Sequence, residues 1–436
     1  MKKVITYGTY DLLHYGHIRL LERARALGDY LIVGVTADDF DKTRGKINGK
    51  QSLIERIEAV RETGLADEII VEEYQGQKID DIRRYGVDIF AIGSDWEGKF
   101  DYLKEYCQVV YLPRTEGVSS SELRSRNHVF RIGIVGESAM VDKFVAEVRY
   151  VNGAEVTGVC NGYEKTEYEE LLNKSDAVYV VSNPKERAGL VKRALLKGKH
   201  VLCESPVAET ESDCRYLMNL AEEKKLILME AIKTAYATAY HRLCLLAKGG
   251  VIGKVVSVEA TCTSMREQDT EYSRAEQRWG SLSDWGPIAL LPVFQMLGTN
   301  YLDKRIVSWI ESKTERYDAF TKIDFLYQNA VGSIKVGKGV KSEGILVITG
   351  TKGYIYVPAP WWKTDYFEVR YENPEQNKRY FYQLDGEGIR YEILEFLRSV
   401  ETGVKGTYLD DEIALAISSV IEAYNSNEDV LTIENA

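Results

Sequence analysis

The sequence predicts an α/β protein in which two parallel-sheet units follow one another and a sheet of a different kind ends the chain. Three observations support this prediction. Short apolar strands alternate with amphipathic helices from residue 3, and the same alternation begins again at Phe130. From Gly253 the apolar residues alternate without intervening helices, which is typical of an open antiparallel sheet.

The first unit is expected to contain five strands, at residues 3–7, 30–36, 68–71, 88–92 and 109–112. Helical patterns lie between them at residues 16–27, 53–63, 78–85 and 100–106. Strands that alternate with helices form a parallel sheet with helices on both faces. The polar tract at residues 125–128 is interpreted as a linker, so the first domain is expected to span residues 1–127.

The remainder of the chain is divided in the same way. After the strand that begins at Phe130, further strands are predicted at 155–159, 177–181, 200–203 and 226–229, with helices at 139–150, 186–197 and 209–224. This alternation defines a second domain at residues 130–250. A third domain, residues 251–436, holds the open sheet. Its closing helices, 387–400 and 410–424, are expected to return to the second domain.

Composition limits the classes of function. The chain has 436 residues and a formal net charge of −11, which argues against a nucleic-acid or anionic membrane surface. The apolar run Ile288–Leu297 is too short to span a bilayer. The first residues form a strand rather than a signal peptide, and six scattered cysteines without a CxxC pair favour neither zinc nor a disulfide framework. These features predict a cytoplasmic enzyme.

A phosphate site is predicted where the first strand ends. The string GTYD, residues 8–11, follows that strand, and the string HYGH, residues 14–17, opens the first helix. A helix N-terminus offers free backbone N–H groups to a phosphate, and Gly16 allows a nucleotide to approach closely. The imidazoles of His14 and His17 are three residues apart, so both can face the same phosphate.

These strings resemble the HxGH signature of the nucleotidyltransferase superfamily. The string RTEGVSSS, residues 114–121, is similar to the RTEGIST-type signature of cytidylyltransferases, with Ser120 in place of the usual threonine. With QKIDDI at residues 77–82 and GSDWEGKFD at residues 93–101, the first 127 residues resemble the glycerol-3-phosphate cytidylyltransferase family. The resemblance implies a Rossmann-like nucleotidyltransferase domain.

The resemblance also implies an activity: cytidylyl transfer from CTP to glycerol phosphate or a related polyol phosphate, with release of pyrophosphate. No covalent enzyme intermediate forms in this family, and Mg²⁺ is expected to accompany CTP. An amino-alcohol phosphate, such as phosphoethanolamine, remains an alternative acceptor. The implied catalytic residues are His14, His17, Lys46 and Arg114. The implied nucleotide-binding residues are Gly8, Thr9, Tyr10, Gly16, Asp95, Thr115, Ser119 and Ser120. The implied acceptor-binding residues are Asp11, Arg56 and Trp96.

The rest of the chain resembles the glucose–fructose oxidoreductase/inositol dehydrogenase family (Gfo/Idh/MocA). The similar strings are FRIGIVG at 130–136, ALLKGKHVLCESPVA at 194–208, EAIKTAY at 230–236 and GVIGKVVSVEA at 250–260. The resemblance implies a Rossmann-type domain with NAD(P) as its candidate cofactor, followed by an open-sheet domain for substrate binding and self-association. A homodimer or a higher homo-oligomer is expected.

Several positions depart from the pattern of that family. Ser138 stands where the dinucleotide fingerprint has its second glycine, and Asn161 where an acidic residue contacts ribose. Ser205 replaces the catalytic lysine of a Glu-Lys-Pro motif, and Ile288 replaces the later histidine or tyrosine. Lys233, Tyr236 and Tyr240 are candidate substitutes. The candidate site residues of this half are Gly136, Ser138, Asn161, Glu204, Lys233, Tyr236 and Asp284.

Two hypotheses follow for the second half. In the first, it reduces a carbonyl precursor, and the first half cytidylylates the resulting polyol phosphate. In the second, it is a catalytically silent module for ligand binding and dimerisation that is attached to a working transferase.

Overall fold

The computed structural model describes residues 2–11, 13, 15–37, 51–74, 76–113, 129–151, 153–265, 279–312, 317–382, 384–406 and 408–433. The chain divides into two compact units, residues 1–128 and 129–436.

The first unit contains a five-stranded parallel sheet with the strand order β3-β2-β1-β4-β5. The strands are β1 (Lys3–Gly8), β2 (Tyr30–Thr36), β3 (Glu68–Glu72), β4 (Ile89–Gly93) and β5 (Gln108–Leu112). The helices are α1 (Tyr15–Arg25), α2 (Leu53–Glu62) and α3 (Gln77–Tyr85), with 3₁₀ turns at Ser94–Trp96 and Asp101–Glu105. This arrangement confirms the Rossmann-like fold predicted for the first part of the chain.

Apolar residues fix the centre of this sheet. In β1 and β2, Val4 pairs with Leu31 and Ile5 with Ile32, and all four side chains are fully buried. Strands that are buried on both faces are typical of parallel sheets covered by helices. A capping box starts α2, because the Ser52 side chain and its partner three residues later satisfy each other's backbone amides.

The second unit begins with another five-stranded parallel sheet, in the order β10-β9-β8-β6-β7. Its strands are β6 (Phe130–Val135), β7 (Ala154–Cys160), β8 (Ala177–Val180), β9 (His200–Glu204) and β10 (Leu228–Ala231). The helices of this part are α4 (Ala139–Val148), α5 (Lys165–Lys174), α6 (Pro184–Leu196), α7 (Glu211–Glu223), α8 (Lys233–Tyr236) and α9 (Thr238–Lys248).

A nine-stranded sheet follows, in the order β18-β17-β16-β15-β11-β14-β13-β12-β19. Its strands are β11 (Val255–Thr263), β12 (Asp303–Ser312), β13 (Tyr317–Leu326), β14 (Val331–Gly337), β15 (Leu346–Gly350), β16 (Tyr354–Val357), β17 (Tyr366–Arg370), β18 (Lys378–Phe381) and β19 (Val430–Ile433). The remaining helices are α10 (Ser281–Leu297), α11 (Ile389–Thr402) and α12 (Asp411–Asn425), with 3₁₀ turns at Trp361–Lys363, Pro374–Gln376 and Asp385–Gly388.

This last sheet is mixed, whereas the sequence predicted an antiparallel one. β11 pairs with β14 in parallel, and β12 pairs with β19 in parallel. Parallel neighbours need a long crossover, and the chain supplies one because α10 and the β12–β13 hairpin lie between β11 and β14. Within the described residues, no helix is long and apolar enough to cross a membrane.

Candidate functional site

In the first unit, the turn after β1 brings together residues that were predicted to meet the nucleotide. β1 lies between β2 and β4, where the strand order reverses, and open α/β sheets bind ligands at such points. Tyr10 has a left-handed backbone, with φ of 54°, and its buried ring lies over Gly8. A Cβ at Gly8 would lie 2.9 Å from that ring. The ring meets the His17 imidazole edge-on at 5.6 Å, so Tyr10 positions His17 in the first turn of α1.

Arg56 lies fully buried beneath this turn. Its Nη1 donates to the carbonyl oxygens of Thr9 at 2.6 Å and Thr36 at 2.8 Å, and its Nε donates to that of Gln51 at 3.2 Å. The backbone amide of Gln51 donates to Asp11 Oδ1 at 2.9 Å. One guanidinium therefore ties the turn after β1 to the end of β2 and the start of α2. Its expected contact with the acceptor phosphate stays a prediction.

The 3₁₀ turn after β4 contains Asp95 and Trp96. The half-buried Trp96 ring packs against Phe100 at 5.8 Å, and Lys99 Nζ lies 5.1 Å from its centroid. Gly16 is the second residue of α1. Six predicted site residues lie outside the described part of the chain: His14, Lys46, Arg114, Thr115, Ser119 and Ser120. The side chain of Asp95 is also outside it.

A buried polar network joins β1, β3 and α3, and it was not predicted from the sequence. The Tyr7 hydroxyl donates to Asp81 Oδ2 at 2.8 Å, and Gln77 Nε2 donates to the same oxygen at 3.1 Å. The buried side chains of Lys78 and Glu72 form an ion pair, with the ammonium 4.5 Å from the Tyr7 ring centroid. Burial, followed by the Asp81 carboxylate, raises the pKa of Tyr7 well above its ordinary value. The available signal was the unusual composition of α3, whose buried face is mainly polar.

In the second unit, the predicted cofactor-binding residues lie at the carboxyl ends of β6 and β7. Gly136 has φ of 136°, and a Cβ there would collide with the backbone of Val181 and Ser182 at the end of β8. Ser138 caps α4, because its hydroxyl accepts the Met140 amide at 3.2 Å.

The side chain of Asn161 accepts a hydrogen bond from the Tyr163 amide at 2.9 Å. Asn161 thus closes a local turn after β7, where Rossmann folds bind ribose. Gly136, Ser138 and Asn161 lie where a Rossmann fold binds a dinucleotide, but the side chains of Ser138 and Asn161 already accept hydrogen bonds from nearby backbone amides. The first turn of α4 is placed to meet a pyrophosphate, although one of its amides is already bonded to Ser138.

Glu204, Lys233 and Asp284 lie in one neighbourhood. Burial raises the pKa of Glu204, although the hydrogen bond from the Tyr179 hydroxyl and the charge of Lys233 act against it. Asp284 raises the same pKa. The buried Glu392 on α11 also has its pKa raised, by burial first and then by Glu204. Among the described residues, Glu392 Oε2 has no hydrogen-bond partner.

The turn after β9 is held from below by a buried arginine. Arg187 Nη1 donates to the carbonyl oxygens of Ser205 at 2.7 Å and Pro206 at 3.2 Å. The Ser205 hydroxyl donates to Glu230 Oε1 at 2.6 Å, and burial raises the pKa of Glu230 to about 7. Ser205 is therefore bonded to the core at the position where the resemblance expects a lysine.

The residues that could replace the missing lysine and histidine or tyrosine already form hydrogen bonds within the second unit. The Tyr236 hydroxyl donates to the Glu230 carbonyl oxygen at 3.0 Å, and the Tyr240 hydroxyl donates to Gln295 Oε1 at 2.8 Å. Lys233 Nζ donates to Glu387 Oε2 at 2.7 Å. In the part of the chain that the structure describes, no group of three or more His, Cys, Asp or Glu side chains could hold a metal ion.

The two units of the chain match two different protein families. Residues 5–126 match the cytidylyltransferase-like family, and residues 130–232 match the oxidoreductase family with an NAD-binding Rossmann fold. The glycerol-3-phosphate cytidylyltransferase of Bacillus spizizenii is 52% identical over 124 residues, which cover 28% of this chain and 95% of that protein. The Staphylococcus aureus enzyme of the same name is 49% identical over 129 residues, covering 28% and 93%.

Among solved structures, the fold of the second unit is similar to that of KijD10, a 3-ketoreductase from Actinomadura kijaniata solved with NADP and TDP-benzene. The TM-score is 0.60 at 18% identity, and the match covers 71% of this chain and all of that one. This likeness shows the fold. The chain is a nucleotidyltransferase that belongs to the cytidylyltransferase-like family through its first unit, and its second unit carries an oxidoreductase-family domain with a Rossmann fold.

Proposed function

We propose that the first unit transfers the cytidylyl group of CTP to glycerol phosphate, releasing pyrophosphate and CDP-glycerol. The observation that carries this proposal is the turn after β1, where Gly8 and Tyr10 position the His17 ring and Arg56 holds the carbonyl oxygen of Thr9. The full-length match to two enzymes named for this acceptor supports the same substrate.

In the proposed reaction, an oxygen of the acceptor phosphate attacks the α-phosphorus of CTP, and pyrophosphate leaves from the opposite side. The imidazoles of His14 and His17 stabilise the negative charge that develops on the α-phosphate oxygens. Lys46 and Arg114 would bind the triphosphate, with Mg²⁺ accompanying CTP. Trp96 and Asp11 would contact the acceptor.

Pyrophosphate release from CTP tests this proposal with the purified full chain and Mg²⁺. Glycerol 3-phosphate is compared with longer polyol phosphates and with phosphoethanolamine, each at the same concentration. We expect the highest kcat/KM with glycerol 3-phosphate. A clear preference for phosphoethanolamine would select the amino-alcohol alternative, and no release with any acceptor would overturn the proposal.

For the second unit we propose that it binds NAD(P)(H) and reduces the carbonyl precursor of the polyol phosphate. The functional domains of this half would be residues 130–250 and 251–436. When bound, a nicotinamide cofactor supplies a hydride. The chain would supply the proton for the new hydroxyl, and a positioned acid contributes about 10²–10⁴-fold to such a step. The supporting observation is that burial raises the pKa of Glu204 and of Glu392, while the charge of Lys233 acts on both. A carboxyl group with a raised pKa can carry a proton where the expected lysine is missing.

The silent-module alternative remains the second candidate, because Ser205, Tyr236 and Tyr240 direct their hydroxyls to partners in the core. Oxidation of NADH or NADPH with small ketose phosphates separates the two. Turnover that falls in Glu204→Gln supports reduction by this unit. Cofactor binding without turnover for any ketose phosphate would support the silent ligand-binding module.

A further inference from the structure

Three lysine side chains of the second unit meet at one carboxylate. Lys143 on α4 and Lys233 on α8 donate to Glu387 Oε2, at 3.0 Å and 2.7 Å. Lys363, in the turn after β16, donates to Glu387 Oε1 at 2.6 Å. These four residues, the lysine cluster below, carry three positive charges against one negative charge.

The backbone fixes the position of Glu387. Its φ is 53°, and the flanking Gly386 and Gly388 have φ of 56° and 91°, so three consecutive residues are left-handed. A Cβ at Gly386 would collide with the Glu147 carboxylate, and one at Gly388 would lie 2.8 Å from the Lys233 carbonyl oxygen. A left-handed residue other than glycine is uncommon, and such residues concentrate at ligand sites. Residues 386–388 therefore pack closely against α4 and α8, and the Glu387 carboxylate lies where the three lysine side chains meet.

Two lysines of the cluster are open to solvent, whereas Lys233 is only 14% exposed, and the cluster carries a net positive charge. The side chains of Lys143 and Lys363 are 45% and 39% exposed, and that of Glu387 is 29% exposed. The neighbouring Glu147 pairs with Arg390 at 2.9 Å, so it adds no net charge. Although burial opposes it, hydrogen bonding to the lysines holds the pKa of Glu387 well below its usual range.

Surface ion pairs stabilise a fold weakly, and one lysine would satisfy one carboxylate. Gathering three ammonium groups from three separate elements suits a dianion better than a single carboxylate. A phosphate monoester carries close to two negative charges at pH 7 and has three acceptor oxygens, one for each ammonium group.

The lysine cluster adjoins the residues proposed to handle the carbonyl group. Lys233 belongs to the cluster and also acts on the pKa of Glu204. Trp362, next to Lys363 in sequence, meets the Trp285 ring edge-on at 4.8 Å. Trp285 in turn follows Asp284 in sequence, and the charge of Asp284 also acts on the pKa of Glu204.

We propose that Lys143, Lys233 and Lys363 form the binding site for the phosphate group of the second unit's substrate, and that the Glu387 carboxylate fills this site until the substrate displaces it. The inference deepens the reductase function proposed above and rests on it. It makes the substrate a phosphorylated carbonyl compound rather than a free sugar or ketone.

Lysine acetylation of the full chain, read by mass spectrometry, tests the site with inorganic phosphate as the probe. This readout resolves each lysine, so phosphate bound to the first unit does not interfere. We expect phosphate to protect Lys143 and Lys363 from acetylation in a saturable manner. Lys322 on β13 is the matched control, because it is 40% exposed and pairs with Asp324 at 2.8 Å. Its acetylation should not change with phosphate.

Two substitutions sharpen the test. In Glu387→Gln the competing charge is removed, and half-maximal protection of Lys143 and Lys363 should need about tenfold less phosphate. In Lys363→Met, which changes a half-exposed side chain, protection of Lys143 should require at least about tenfold more phosphate. Lys322→Met should leave the protection curve of Lys143 unchanged.

The inference is overturned if phosphate gives no saturable protection in either the native chain or Glu387→Gln. It is also overturned if Glu387→Gln lowers only the melting temperature, since the lysine cluster would then be a structural clamp. Binding of NADH and of NADPH, each followed by the fluorescence of the cofactor, is measured separately. Phosphate protection without cofactor binding would reject the reductase function and leave an anion site, so the two failures are distinguishable.

Discussion

At the scale of single residues, the position of the His17 ring depends on its neighbours. The Tyr10 ring holds the imidazole from one side, and the absence of a side chain at Gly8 gives that ring its place. Arg56 holds the carbonyl oxygen of Thr9 in the same turn. The chemistry proposed for His17 and the fixed geometry of the turn therefore have separate causes, and they can be tested separately.

Replacing His17 with alanine should lower kcat for cytidylyl transfer by about 10²–10³-fold, the usual cost of losing one transition-state donor. KM for CTP should change much less, because the contact strengthens only as charge develops. Steady-state pyrophosphate release measures both constants, and an unchanged melting temperature confirms that the variant is folded. An effect confined to KM would mean that the imidazole binds the ground state only.

Arg56→Met should destabilise the first unit by about 2–4 kcal/mol, because it removes the buried guanidinium that donates to three backbone carbonyl oxygens. Arg61→Met on the same helix is the matched control. Its guanidinium is 59% exposed and forms an ion pair with Glu58 on the surface of the helix, so its loss should cost little. Chemical denaturation of the full chain measures both effects. A stable Arg56→Met variant with a raised KM for the acceptor would favour the phosphate-binding role implied by the resemblance.

At the scale of elements, Ser205 at the end of β9 and Glu230 in β10 join two neighbouring strands. In the native state the pKa of Glu230 is about 7, against 4.5 for the ordinary side chain, and burial is the main cause. Between about pH 4.5 and pH 7, Glu230 is protonated in the native state but ionised in the unfolded chain. The stability that this group contributes is therefore present below about pH 4.5 and is lost as the pH rises to about 7.

Glu230→Gln removes this dependence while keeping an oxygen that can accept from Ser205. The free energy of unfolding of the variant, compared with that of the unsubstituted chain, should rise by about 1.4 kcal/mol per pH unit between pH 5 and 7. Above pH 7 this difference should stay constant. Urea unfolding at pH 5, 6, 7 and 8 measures the gain. Glu223→Gln, an exposed change on α7, controls for the loss of one negative charge. Parallel stability curves for Glu230→Gln and the native chain would contradict the prediction.

Most strands and helices could be predicted because local patterns specify them, and β2 was predicted to the residue. The helix α10 was not, because it contains Pro287 and Pro292, which normally argue against a helix. Apolar packing around α10 outweighs that local preference. The parallel strand β19 was also missed, since its four residues pair with β12 more than a hundred positions earlier in the chain.

The site was partly predictable for the same reason. The turn at Gly8 and Tyr10 is local in sequence, so its motif was visible. The hydrogen bond from Ser205 to Glu230 and the contacts of Lys233 and Lys363 with Glu387 join distant positions. A single sequence carries no signal for such pairs until the fold brings them together.

At the scale of the whole molecule, the two units differ in how much of a known protein each represents. The Bacillus spizizenii relative is matched over 95% of its own length by 28% of this chain. A protein of that length thus accounts for the whole first unit. The buried side chains of β1, β2 and β4 also find their core partners within residues 1–128. We therefore expect the first unit to fold and to act without the second.

A fragment of residues 1–128 should release pyrophosphate from CTP and glycerol 3-phosphate with a kcat within about twofold of that of the full chain. The physical reason is that the first unit contains its own two hydrophobic clusters and all the residues proposed to act in the transfer. A fragment that carries His17→Ala is the matched control for background hydrolysis, and circular dichroism establishes that each fragment is folded. If the fragment is folded but inactive, the prediction is wrong, and residues beyond 128 are needed for cytidylyl transfer. If it is active only with a raised KM for the acceptor, residues beyond 128 are needed for the full affinity for the acceptor.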